Sequence, residues 1–262
     1  MTRLRKYLLR VIGLGYIGVL VAAPVALVFR KAFENGLDGA WEAVTTPAAK
    51  HALLITLIIT AIAVPANTVF GIVCAIAIVR HRFPGKNIVN VIVDLPLALS
   101  PIVVGLSFLL LFGTGGWLHD LPFQVVFALP GMVLATIFVS LPFVVREVVP
   151  VLREIGTEQE QAAATLGASG WQTFRRVTFP AIRWAVAYGV VLTTARCLGE
   201  FGAVSVVSGR LIGKTESLTL HVEERYQSFD YVGAYAASVL LAMLAIATLV
   251  AMTVFRPKEE TR

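Results

Sequence analysis

The chain has 262 residues, 57% hydrophobic and only 15% charged, with a mean hydropathy of +0.81. A soluble domain carries roughly 25% charged residues, so a water-soluble enzyme is excluded and most of the surface is expected to face lipid. The net charge of +6 does not point to nucleic acid, because the basic residues fall in short connectors between apolar runs, as in membrane proteins.

Arg3, Arg5, Lys6 and Arg10 open the chain and lead into an uncharged stretch, residues 11–28. That stretch exceeds the roughly 7–15 residues of a signal peptide's apolar core, and further spans follow, so it reads as an uncleaved first helix. Six stretches can cross a bilayer: residues 11–29, 52–79, 88–112, 125–145, 184–207 and 231–255. Each spans a hydrocarbon core of roughly 30 Å as a helix, and strand-like alternation is absent. With a cytoplasmic N-terminus, fifteen of the 22 Lys and Arg residues fall inside and six outside, Arg196 lying within a helix. The pattern predicts an all-α integral membrane protein of about six transmembrane helices with both termini cytoplasmic. Its parts are a basic segment 1–10, a membrane domain 11–255 and a tail 256–262.

Four of these helices contain prolines: Pro24, Pro65, Pro96 with Pro101, and Pro130 with Pro142. Such kinks either shape the bundle, with neighbours satisfying the freed backbone groups, or, between Pro96 and Pro101, unwind a stretch that lines a pathway. Cys74 and Cys197 sit in apolar runs and read as small packing residues rather than a disulfide. No metal-ligand spacing occurs.

The longest connector, 146–183, is expected in the cytoplasm. Glu158 to Leu166 is helix-forming sequence, and Ala162, Ala163 and Ala164 offer small side chains for close approach to another surface. Gly167 can take the left-handed conformation that ends a helix. Ser169-Gly170-Trp171-Gln172 fits a capping box. Trp171, Phe174 and Val177 continue at helical spacing until Pro180, which is expected to break the run. The result is a helix–turn–helix outside the membrane, readable on these features alone as an amphipathic surface element.

The segment resembles the EAA loop of ABC-importer permeases, whose pattern is Glu-Ala-Ala, three residues, Gly, nine residues, Ile-x-Leu-Pro. Here Gln161-Ala162-Ala163, Gly167 and Val177-Thr178-Phe179-Pro180 fall at that spacing. Gln161 replaces the usual glutamate and Phe179 the usual leucine, so position 161 keeps hydrogen bonding but offers no charge for an ion pair to an ATPase, with Glu158 and Glu160 near enough to substitute in part. The run from Ala195 to Gly209 is similar to the fifth helix of sulfate/thiosulfate permeases, as are Leu220-His221-Val222-Glu223 and Val93-Asp94-Leu95-Pro96 with Ser100-Pro101. The likeness covers about residues 50–250.

This resemblance implies a MetI-like permease fold in the bacterial cytoplasmic membrane, surrounded by lipid. It implies a heterodimer with a second homologous permease, two ATPase subunits that bind ATP-Mg, and a periplasmic or lipid-anchored sulfate-binding protein, with no cofactor on this chain. The coupling surface to the ATPase would comprise Glu160, Gln161, Ala162, Ala163, Leu166, Gly167, Ala168, Ser169 and Pro180. Molybdate permeases share Gly199-Glu200-Phe201-Gly202, so molybdate or tungstate import is the alternative.

Ionisable groups inside spans are expensive and face a partner or a pathway. At 1.5 Å per helical residue, Asp94, Arg196 and Glu200 lie about 9, 18 and 24 Å from the cytoplasmic ends of their spans. Arg196 and Glu200, four apart, share a helix face. They form either a structural ion pair or, with Ser100, part of a path for an anion, where weak contacts are needed so that the substrate is not trapped.

Gly209 to Thr215 imitates a phosphate-binding loop, with one residue too few and a position in an outside loop. A secondary anion transporter would need its own ion-coupling site and inverted repeats, neither of which is detectable. A membrane enzyme would need a His/Glu cluster at one depth, whereas His51, His81, His119 and His221 lie at or beyond helix ends with no matching carboxylate pattern.

Overall fold

The computed structural model describes residues 3–255, with side chains described for residues 10–250. The side chains of Arg3, Arg5 and Lys6 and the expected tail 256–262 therefore lie outside the described parts. Among the described residues all regular structure is helical.

The chain opens with α1 (Arg3–Ile17) and α2 (Ala23–Ala32), joined through a π-turn at Gly18–Ala22. Pro24 does not break this helix. The wider turn just before it relieves the clash between a proline ring and the carbonyl four residues back. A short helix, α3 (Gly36–Thr45), leads to α4 (Pro47–Arg80), the longest element at 34 residues. The Thr46 hydroxyl caps α4 by accepting from the Ala49 N–H at 3.2 Å, and Pro47 occupies the first turn, where its missing N–H costs nothing.

The expected third span is two helices, α5 (Lys86–Ala98) and α6 (Pro101–Phe112), whose axes meet at 111°. Pro101 sets the break. A residue before proline is disfavoured in helical angles, and Ser100 leaves them, with φ −63° and ψ 135°. Pro96 stays inside α5 without ending it.

Next, α7 (Leu129–Ser140) and α8 (Pro142–Glu154) run on as one span of 26 residues. Pro130 begins this span rather than interrupting it. At Pro142 the cost of a lost N–H is met by a neighbour. The Leu141 N–H turns to the Phe138 carbonyl at 3.3 Å. The Ile137 carbonyl instead accepts from the Asn67 amide of α4 at 3.0 Å. The connector expected from 146 is thus helical to Glu154, with Val148, Val149 and Leu152 buried.

Two short helices follow, α9 (Glu158–Thr165) and α10 (Gly170–Thr173), then a second π-turn at Phe174–Thr178 and α11 (Phe179–Leu198). Helix is continuous from Gly170 to Leu198 over 29 residues. Pro180 therefore does not break the run as expected, because a π-turn precedes it as one precedes Pro24. The expected fifth span, 184–207, instead ends at Leu198. A short helix, α12 (Gly202–Val207), starts after a break at Gly199–Phe201, followed by α13 (Leu218–Gln227) and α14 (Tyr231–Phe255).

Among the described residues five helices are long and apolar enough to cross a membrane, and the bent pair α5–α6 would make a sixth. Two apolar cores stack along α4. One gathers Ile55, Ile59, Val104, Met132, Val204 and Leu220; the other gathers Ala75, Ile78, Val93, Val145, Leu152 and Ile182. Between them lies a polar belt in which the fully buried Asn67 donates to the Ser140 hydroxyl at 2.8 Å, and Ser140 lies 3.4 Å from the Cys197 sulfur. Cys74 and Cys197 are both free and buried.

Candidate coupling and pathway sites

The segment between α8 and α11 is built from local signals. Gly167 has φ +83°, and two hydrogen bonds of 3.0 Å close the end of α9: Gly167 N–H to the Ala164 carbonyl and Ala168 N–H to that of Ala163. This paired closure is the Schellman motif, which favours glycine at its left-handed position. The capping box at Ser169 is complete: its hydroxyl accepts from Gln172 N–H at 3.3 Å, and the Gln172 side chain accepts from Ser169 N–H at 2.8 Å.

Long-range contacts then fix the segment to the bundle. Glu160 lies 2.9 Å from Nε of Arg80, with the two side chains 20% and 10% exposed. The other Glu160 oxygen accepts from Thr178 Oγ1 at 2.8 Å, and Arg80 also donates to the Leu152 carbonyl at 2.9 Å. Glu160 therefore points inward, and the offer of a substitute charge for an outside partner falls to the exposed Glu158. Gln161 is exposed and donates to Thr157 at 3.1 Å. Ala162 and Ser169 are exposed, and Ala163 and Ala168 partly so. Leu166 and Trp171 stand out at 88% and 68% exposure, with Trp171 stacked on Phe174 at 5.4 Å. Pro180 is exposed in the first turn of α11. Of the residues that hold Glu160, Arg80 carries no motif and Thr178 stands at the variable position of the Ile-x-Leu-Pro pattern, so neither was singled out from sequence.

The ionisable groups expected inside the spans form two separate pairs. Arg196 and Glu200 meet at 2.7 Å, but Glu200 lies beyond the end of α11, so a depth counted along one continuous helix does not apply to it. Its other oxygen accepts from the Ala203 N–H at 2.9 Å, capping the first turn of α12. Asp94 pairs with Arg146 of α8 through two hydrogen bonds, one of 2.6 Å from Nε. It is not a partner of Arg196. Ser100 is exposed in the α5–α6 bend and makes no side-chain cap. The bend lies against α12: a Cβ on Gly202 would stand 2.8 Å from Pro101, and one on Gly105 2.8 Å from the Ala203 carbonyl. Only glycine permits so close an approach of two backbones.

The expected outside loop after Gly209 is exposed as far as Lys214 and buried from Thr215 to Leu218. In the imitation phosphate loop the Arg210 and Leu211 amides are held by the Ser208 and Thr215 hydroxyls. Leu218 N–H donates to Thr56 of α4 at 2.8 Å. His221 corrects the reading that the histidines lie at or beyond helix ends with no matching carboxylate pattern: it lies within α13, buried, 3.2 Å from Glu216, and Glu224 is close by. The available signal was the three-residue spacing from His221 to Glu224 on one helix.

Bent half-helices against a continuous bundle, with an external segment bolted to its end, are the architecture of an importer's membrane component. Residues 67–260 match the family of the binding-protein-dependent transport system inner membrane component. The chain belongs to that family and is a multi-pass permease subunit of an ABC importer rather than an enzyme. It is 51% identical over 243 residues to the sulfate transport system permease protein CysW of Synechococcus elongatus, covering 91% of this chain and 85% of that protein. It is 39% identical over 232 residues to the sulfate transport system permease protein CysT of Escherichia coli, covering 87% and 84%. The fold superposes with a TM-score of 0.79 and 18% identity on a chain of a bacterial alginate ABC transporter solved with an alginate-bound periplasmic protein, over 95% and 93% of the two chains.

Proposed function

We propose that this permease imports sulfate or thiosulfate across a bacterial inner membrane. The observation that carries the reading is the 51% identity to a CysW protein along most of both chains. Its partners are a second permease of the CysT kind, two ATPase subunits that bind ATP-Mg, and a sulfate-binding protein outside the cell. Both termini face the cytoplasm.

In this reading Leu166 and Trp171 enter the ATPase, and the glutamine at position 161 supplies hydrogen bonding without charge. The stroke has two rigid routes inward. One is the Glu160–Arg80 contact to the end of α4. The other is the unbroken helix from Gly170 to Leu198, which ends where Glu200 caps α12. Because α12 lies against α6 at the Pro101 bend, movement of α11 reaches both half-helices. Arg196 is neutralised by Glu200 and serves this cap, leaving weak backbone and hydroxyl contacts to pass the dianion.

The test is uptake of labelled sulfate by the assembled complex, with and without ATP hydrolysis, competed with molybdate. ATP-dependent uptake that excess molybdate leaves intact is expected. Preferential block by molybdate would assign the chain to molybdate or tungstate import.

A further inference from the structure

One cluster lies outside the coupling segment and the α6–α12 contact. Glu216 precedes Ser217, whose hydroxyl caps α13, and His221 and Glu224 follow three residues apart on that helix, hence on one face. One ligand atom from each of the three lies within 4.8 Å of the others. Glu216 and His221 are each 2% exposed. One Glu216 oxygen faces His221 Nδ1 at 3.2 Å, while the other, Oε2, is buried with no hydrogen-bond partner. Glu216 and Glu224 line a cavity of about 100 Å³ together with Arg210, Glu223 and Gln227.

A buried carboxylate oxygen left unpaired is costly, so something must meet Oε2. The surrounding cations are already engaged: Arg210 with Glu223 at 3.1 Å, and Arg225 with Glu224 and Asp230 at 3.4 and 3.5 Å. Glu224 also accepts from Ser228 at 2.9 Å. Carboxylates outnumber arginines around the cavity, and His221 Nδ1 faces the other oxygen of Glu216.

We propose that Glu216, His221 and Glu224 bind a first-row divalent cation. One imidazole and two carboxylates form a set that suits Zn²⁺, and the cavity supplies room for a water ligand. The ion fastens the 208–217 loop to α13. That helix also holds the end of α11, since the Thr219 hydroxyl donates to the Glu200 carbonyl at 2.7 Å.

The test uses the full chain, purified in detergent with its co-expressed partner subunits, stripped with a chelator and titrated with ZnCl₂ against a chromophoric competitor. One Zn²⁺ per copy of this chain is expected, and Glu224→Gln and His221→Ala should each weaken binding more than about tenfold. Glu224 is partly exposed, so Glu224→Gln is the variant expected to keep its fold. Independently of any variant, Co²⁺ added to the wild-type chain should give intense visible absorption from low-coordinate nitrogen and oxygen ligation. Absence of Zn²⁺ binding to the wild type, unchanged affinity in both variants, or a Co²⁺ spectrum no different from the aquo ion would overturn the site.

Discussion

Arg80, the last residue of α4, and Glu160, in the third position of α9, approach to 2.9 Å across 80 positions of sequence. This contact converts a two-helix surface element into an extension of the bundle's longest helix. Apart from it, the segment from Ile155 to Ser169 is tied down by the hydrogen bond from the Thr178 hydroxyl to Glu160.

Breaking this pair should therefore impair coupling more than insertion. Glu160→Ala leaves a guanidinium largely buried and unpaired, a loss of about 3–5 kcal/mol for such sites. ATP-driven sulfate uptake per inserted chain should fall at least about tenfold, since 1.4 kcal/mol is already a factor of ten. The double variant Arg80→Met with Glu160→Met should recover much of it. Normal uptake in Glu160→Ala would show that the contact transmits nothing.

Gly167 separates backbone strain from crowding, because a Cβ placed there meets nothing within 4 Å. Gly167→Asn should keep most uptake, since asparagine tolerates the left-handed region. Gly167→Val should lose the Schellman closure, and Gly167→Asp should abolish uptake by adding charge at the proposed ATPase-facing surface, with all three chains present in the membrane. Equal uptake in the Asn and Asp variants would remove the charge from the explanation.

At the α11–α12 break, charge and cap can be separated. Arg196→Gln alone leaves the buried Glu200 carboxylate unpaired, and the complex should assemble poorly. Arg196→Gln with Glu200→Gln keeps an acceptor for the Ala203 N–H, so assembly and sulfate uptake should return together. Full assembly with slow uptake would place Arg196 on the anion's path. The companion test for Asp94 is Asp94→Asn with Arg146→Gln, because Arg146 is its partner.

Surface labelling fixes orientation, provided the probe sites are chosen from burial. Ser217 would seem suitable in an outside loop, yet it is 3% exposed and caps α13. Ile212 is 59% exposed. In a background lacking Cys74 and Cys197, Ile212→Cys should react with a membrane-impermeant maleimide applied outside, and Gln161→Cys should not. The reverse pattern would invert the topology.

What could be read from the chain is what short-range chemistry encodes. Apolar runs of about 20 residues specify spans because lipid demands internally bonded helices, and five of the six expected regions contain a long helix of that kind. The Gly167 turn and the Ser169–Gln172 box were legible because each needs only residues within one turn. The tertiary structure alone decided which prolines bend. Pro142 is tolerated because Asn67, 75 positions earlier, takes up the Ile137 carbonyl, whereas Pro101 turns the chain by 111°. It also decided that Asp94 meets Arg146 and that Glu160 faces Arg80 rather than a partner. A charge carries no record in its neighbours of the distant partner it will meet. Packing along α4 brings those partners together.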